Sequence, residues 1–116
     1  MLPGLLPAFL GPAHADPDLA AVVTNMAEEV GVEGFVRQQT AILGRLDSRP
    51  GLGRIQCPTA VIVGAEDQLT PPAMMEEMAA AIPGAHFTAI PDAGHLTPIL
   101  APEAVTTALT AWLADA

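Results

Sequence analysis

Only two stretches of the 116-residue chain read as β-strands, and a two-stranded sheet does not stand alone in water. "TAVIVG" (Thr59 to Gly64) is a short, continuous apolar run rich in β-branched residues, the pattern of a strand buried on both faces of a parallel sheet. "AHFTAI" (Ala85 to Ile90) is the second run. Between them, Thr70-Pro71-Pro72 offers an N-cap and a proline start for a helix through about Ile82, which Pro83-Gly84 ends. "PDAGHLTPILAP" then reads as a loop, and "PEAVTTALTAWLADA" as a helix with Val105, Leu109, Trp112 and Leu113 along one face. Strand, helix, strand, helix implies parallel strands joined by a crossover. No internal repeat supplies further strands, so the rest of the sheet is expected from another chain, another copy, or a part of the gene outside this sequence.

Upstream the pattern is helical. Residues 1 to 15 form a Pro/Gly-punctuated apolar segment in which Pro3, Gly4, Pro7, Gly11 and Pro12 interrupt the run. Ala13-His14-Ala15 resembles a signal-peptidase site, but no basic residue precedes the apolar run, so the segment is not expected to be a leader. Asp16-Pro17 opens a helix to about Val30, with Leu19, Val22, Val23 and Met26 at helical spacing and Gly31 as its stop. "EGFVRQQTAILGR" is a second helix, with Phe35, Val36, Ile42 and Leu43 on one side and Arg37, Gln38 and Arg45 on the other. The two are expected to form a short antiparallel pair. "LDSRPGLGRIQCP" is a linker. The organisation expected is a cap-like helical segment and linker over residues 1–50 and a core segment over 51–116, together one compact domain.

Charge excludes some partners. Thirteen acidic residues face four arginines and no lysine, a formal charge of −9, which repels a phosphate backbone and offers no basic patch to an anionic membrane. Neither nucleic-acid nor membrane binding is expected. Hydrophobic residues make up 51% of the chain and aromatics only 3%, so the core must be aliphatic, and part of so apolar a surface is expected to meet another polypeptide. The lone cysteine, Cys57, allows no internal disulfide, and no Cys/His cluster suggests zinc. Its place before Pro58, at the mouth of an apolar strand, suggests a small buried hydrophobe. Metal and cofactor are both expected to be absent, and the location to be cytoplasmic.

Two residues stand where chemistry would be done. Asp67 follows the first strand and His95 the second, and functional groups of parallel α/β sheets gather at the carboxyl ends of strands. If the strands are neighbours, Asp67 can hydrogen-bond the imidazole, fix its tautomer and stabilise its charged form. His86 is expected at a strand end and His14 in solvent. Met74, Met75 and Met78 are expected to pack against core and cap, and Arg45 and Arg49 to pair locally with Asp47.

Residues 55 to 113 closely resemble the C-terminal part of an α/β-hydrolase of the esterase and C–C-bond-hydrolase type. The order C-P-T, a short strand, G-x-x-D, T-P-P, a helix ending I-P-G, a second strand, G-H, then P-E-x-V and a terminal helix is shared. Upstream, "MAEEVGVEGFVRQQTAILGRLDSRPGL" more loosely resembles that family's cap helices and return linker. The resemblance implies α/β class: a partial α/β-hydrolase fold, a cap-like helix pair followed by strand-helix-strand-helix with parallel strands. It also implies that Asp67 is the acid and His95 the base of a Ser-His-Asp triad that hydrolyses an ester or carbon–carbon bond. One position departs from the family: Leu100 stands where an acidic residue is common, at a structural site.

The family's nucleophile elbow, G-x-S-x-G, is missing. The only serine, Ser48 in "RLDSRPG", lacks the flanking glycines, and Cys57 precedes its strand instead of following it. The oxyanion donors belong to that same missing part. The leading expectation is therefore a chain that holds acid and base without a nucleophile and is inactive alone. A module that pairs its open sheet edge with a second copy, or with a separate N-terminal half, is the alternative. Small-ligand binding between the helix pair and the strand ends is the third.

Overall fold

The computed structural model describes residues 2–116. Strand β1 (Ala60–Gly64) and strand β2 (His86–Ile90) pair in parallel, Ala60 opposite His86 and Gly64 opposite Ile90. The ladder extends one residue past each end, His86 N–H donating to Thr59 O (3.0 Å) and Ala65 N–H to Ile90 O (2.8 Å). Each strand begins one residue later than its apolar run.

Helix α1 (Leu2–Leu10) and a 3-10 turn (Gly11–Ala15) occupy the segment read as merely punctuated. Pro3 lies in the first turn, where its missing N–H has no intrahelical partner to lose, and Pro7 forfeits only the bond to the carbonyl of Pro3. Helix α2 (Pro17–Leu43) starts as expected, Asp16 Oδ1 accepting from the N–H groups of Asp18 (2.9 Å) and Leu19 (3.4 Å). Gly31, at φ 68°, breaks its helical path without ending it, so residues 17–30 and 32–43 are two helical runs with no loop between them. The linker contributes a 3-10 turn (Arg49–Arg54).

Helix α3 (Pro72–Ala81) connects the strands, and α4 (Thr97–Leu100) and α5 (Pro102–Asp115) follow β2. Pro71, not Thr70, is the N-cap of α3, and Thr70 turns its hydroxyl elsewhere. The loop after β2 is interrupted by α4, a single turn started by Thr97-Pro98. Both α3 and α5 pack on both strands. On α5 the half-buried line is Val105, Ala108 and Trp112, and Trp112 Nε1–H donates to Pro58 O (3.0 Å). Leu109 and Leu113, expected on that line, are exposed.

The core is small: Val61 and Val63 of β1, Ile82 after α3, Ile90 of β2, Ala93, Val23 of α2 and Leu10 of α1. Among the described residues, Leu10 is the one large side chain fully out of solvent. Much apolar surface stays outside, including Phe35, Val36, Ile42 and Leu43 on the apolar side of the second helical run and Leu46 beyond it. On β2, Thr88 and Ala89 are exposed, as is Met74 on α3, while Met75 and Met78 are half-buried. Cys57 is exposed rather than buried, because the strand begins three residues after it and the cysteine stays in irregular backbone outside the sheet.

Size carries the same message. The solvent-accessible surface is 7789 Å², whereas a self-contained monomer of this mass exposes about 5,950 Å². The radius of gyration is 15.6 Å, against about 13.4 Å for a compact domain of this length. The surplus of roughly 1,800 Å² is about twice one partner's share of a standard protein interface and within what one side of a large, obligate one buries.

Candidate active site

Backbone approaches too close for any side chain bring the ends of β1, β2 and α1 to one point. A Cβ on Gly64 would collide with the carbonyls of Ala93 and Gly94, and one on Gly94 would lie 2.6 Å from Gly11 N and 2.8 Å from Leu10 C. Three hydrogen bonds hold the junction: Glu66 N–H to Ala93 O (2.9 Å), Asp67 N–H to Gly64 O (3.1 Å) and Leu96 N–H to Phe9 O (3.1 Å). Asp92, at φ 54°, makes the left-handed turn out of β2, a conformation aspartate tolerates better than most residues. The turn after β1 delivers Asp67, and the turn after β2 delivers His95.

Asp67 is 6% exposed. Its Oδ1 accepts from the N–H groups of Leu69 (2.9 Å) and Thr70 (3.0 Å), closing a turn on its own side chain. Its Oδ2 accepts from the Thr70 hydroxyl (2.9 Å) and lies 2.9 Å from His95 Nδ1. Four donors thus meet the roughly four lone-pair sites of a carboxylate. Burial pushes the carboxyl upward, but the hydrogen bonds from Thr70, His95 and Leu69 outweigh it and hold Asp67 below the usual carboxylate range. It is an anion with nothing left unsatisfied.

An anion at Nδ1 requires the neutral imidazole to carry its proton there, which leaves the Nε2 lone pair free. Among the described residues Nε2 has no hydrogen-bond partner, and the His95 side chain is 34% exposed. The Phe9 ring stands against it, centroids 6.3 Å apart and planes tilted by 55°. The arrangement can take up a proton at Nε2 and stabilise the resulting imidazolium through Asp67. Both residues expected from the sequence are therefore brought together.

Ser48 stays apart. It is exposed before the 3-10 turn, with no side-chain bond to His95. The other expected surface groups are local: His14 bonds Gly11 O (3.0 Å), His86 meets Asp115 (3.4 Å), and Arg49 pairs with Asp47 (2.7 Å) and Glu77 (3.6 Å). A crevice of about 260 Å³ lies at the opposite ends of the strands, lined by Cys57, His86, Trp112 and Asp115 among others, and contains none of Asp67, Thr70 or His95. Among the described residues no three His, Cys, Asp or Glu side chains are grouped to hold a metal ion, and no helix is long and apolar enough to cross a membrane.

Sequence reasoning missed Thr70, read as a helix cap, and Phe9 and Gly11, read as part of a broken apolar run. The signal for Thr70 was its place three residues after the aspartate, the reach of a side-chain turn.

Residues 9–102 match the family model described as alpha/beta hydrolase fold. A thermophilic esterase from Thermogutta terrifontis is 34% identical and superposes with a TM-score of 0.91 over 98% of this chain and 43% of its own. The enol-lactonase of Burkholderia xenovorans LB400 is 28% identical, with a TM-score of 0.87 over 97% of this chain and 44% of its own. A Mycobacterium tuberculosis protein with the provisional name of non-heme bromoperoxidase is 43% identical over 66 residues, 57% of this chain and 25% of that protein. The chain thus spans less than half the length of these relatives, and in the esterase and the lactonase the match includes the upstream helices.

Proposed function

This chain belongs to the α/β-hydrolase fold family, and from that premise we propose that Asp67 and His95 are the acid and base of a Ser-His-Asp hydrolase whose serine lies outside these 116 residues. The carrying observation is the 2.9 Å contact between His95 Nδ1 and a buried, fully hydrogen-bonded Asp67, with Nε2 free. A serine hydroxyl placed at Nε2 would lose its proton to His95 as it attacked a carbonyl, and the same proton would pass to the leaving group. Asp67 would stabilise the imidazolium between the two transfers. The substrate class is a carboxylic ester or lactone, since an esterase and an enol-lactonase are among the similar structures. Carbon–carbon bond hydrolysis, which the sequence resemblance also allows, has no counterpart among those names.

The surplus surface supports a covering polypeptide. About 1,800 Å² of excess exposure, an apolar face on α2 and exposed residues on a two-stranded sheet fit the share of the relatives that has no counterpart here. Pairing with an N-terminal half explains the missing nucleophile as well as the surface. Pairing with a second copy explains only the surface.

A graft tests the assignment. Replacing the matching 43% of the Thermogutta esterase by this chain should give a protein that hydrolyses an activated short-chain ester. In that protein Asp67→Asn should lower kcat by about 10⁴, and His95→Ala should abolish turnover above background. A folded graft whose hydrolysis survives His95→Ala would refute the roles given to both residues.

A further inference from the structure

The geometry points to Thr70 as the positioning residue of the pair, holding Asp67 Oδ2 where the imidazole must find it. Among the described residues, Thr70 is the one side chain within hydrogen-bond distance of both partners, its Oγ 2.9 Å from Asp67 Oδ2 and 3.4 Å from His95 Nδ1. A hydroxyl has one proton, and an ionised carboxylate can only accept, so that proton points at Asp67. Toward His95 the oxygen can present only a lone pair. Nδ1 therefore faces two acceptors, neither of which can donate to it, and its proton is shared between a strong bond to Asp67 and a weaker one to Thr70.

The other contacts on Asp67 do not do this. Leu69 N–H and Thr70 N–H both bind Oδ1, which fixes one oxygen and leaves the second to be placed by its own partners. Without the hydroxyl, Oδ2 would be held by His95 alone, the group it is meant to orient. Thr70 is also half-buried and sits where α3 is about to begin, yet it does not cap that helix. Its hydroxyl is committed to the pair.

This role rests on the reading of Asp67 and His95 as acid and base, but its test does not need hydrolysis. The observable is the exchange with water of the His95 Nδ1 proton, followed by NMR in the full 116-residue chain. Opening the site must break the Thr70 bonds, so Thr70→Val, similar in shape but without the hydroxyl, should lower protection of that proton about fivefold. Thr70→Ser, which keeps the hydroxyl, should restore it. Protection unchanged in Thr70→Val would overturn the proposal, because the Nδ1 proton would then owe nothing to the hydroxyl, and a loss no larger than the fall in global stability would overturn it equally, because opening of the whole fold would account for it. Should Thr70→Val not fold, the wild-type chain decides by itself: a through-space cross-peak between the Thr70 hydroxyl proton and the His95 Nδ1 proton is expected, and its absence overturns the proposal. Failure of the esterase graft would leave these results untouched, so the two claims fail separately.

Discussion

At the scale of single residues, the proposed chemistry rests on an aspartate that is buried and still charged. Its folded-state pKa lies below the ordinary value of 3.8, so the stability it contributes is complete above that value and is lost as the pH falls through the folded one. Chemical denaturation across a pH series should therefore show the wild type losing stability below about pH 4 and Asp67→Asn losing less over the same interval. Equal losses would mean that the hydrogen bonds to Asp67 do not favour its anion. Asp47, held at about 2 by Arg49, is a fully exposed counterpart whose bonds order only a surface turn. Asp67 and His95 were legible in the sequence because each follows an apolar strand, and strand ends are read from local pattern. Thr70 was not, because T-P-P is also a helix start, and only the three-dimensional turn shows which partner takes its hydroxyl.

At the scale of elements, the site is held by a contact the sequence concealed. β1, β2, α3 and α5 stand within a residue or two of their expected bounds, since continuous β-branched runs, prolines at helix starts and Pro-Gly stops are local signals. α1 was read as broken because prolines at Pro3 and Pro7 count against a helix unless the first falls in its opening turn, which only the structure reveals. The end of that helix and the His95 loop meet backbone to backbone at Gly11 and Gly94. Gly94→Ala would force a Cβ against Gly11 N, Leu10 C and Phe9 O, none of them the end of a flexible side chain. The cost should be about 1–3 kcal/mol, as for overpacking elsewhere, read as a lower denaturation midpoint. Gly4→Ala, whose Cβ meets nothing within 4 Å, should leave the midpoint unchanged or raise it. A Gly94→Ala protein as stable as the wild type would show that α1 does not anchor the loop.

At the scale of the whole molecule, what the chain leaves undone is as informative as what it builds. The two strands counted in the sequence are the two found among the described residues, and the 7789 Å² surface and exposed α2 side chains show how much apolar surface they and their helices leave uncovered. On the proposed reading, oxyanion donors and substrate walls belong to the uncovered side as well, and among the described residues no hydroxyl stands at His95 Nε2. The most direct measurement follows hydrolysis of an activated short-chain ester by the purified 116-residue chain, with His95→Ala alongside. Both are expected to run at the same rate, that of the uncatalysed ester. Turnover by the chain that disappears in His95→Ala would contradict it, by showing that a nucleophile for His95 resides within these residues.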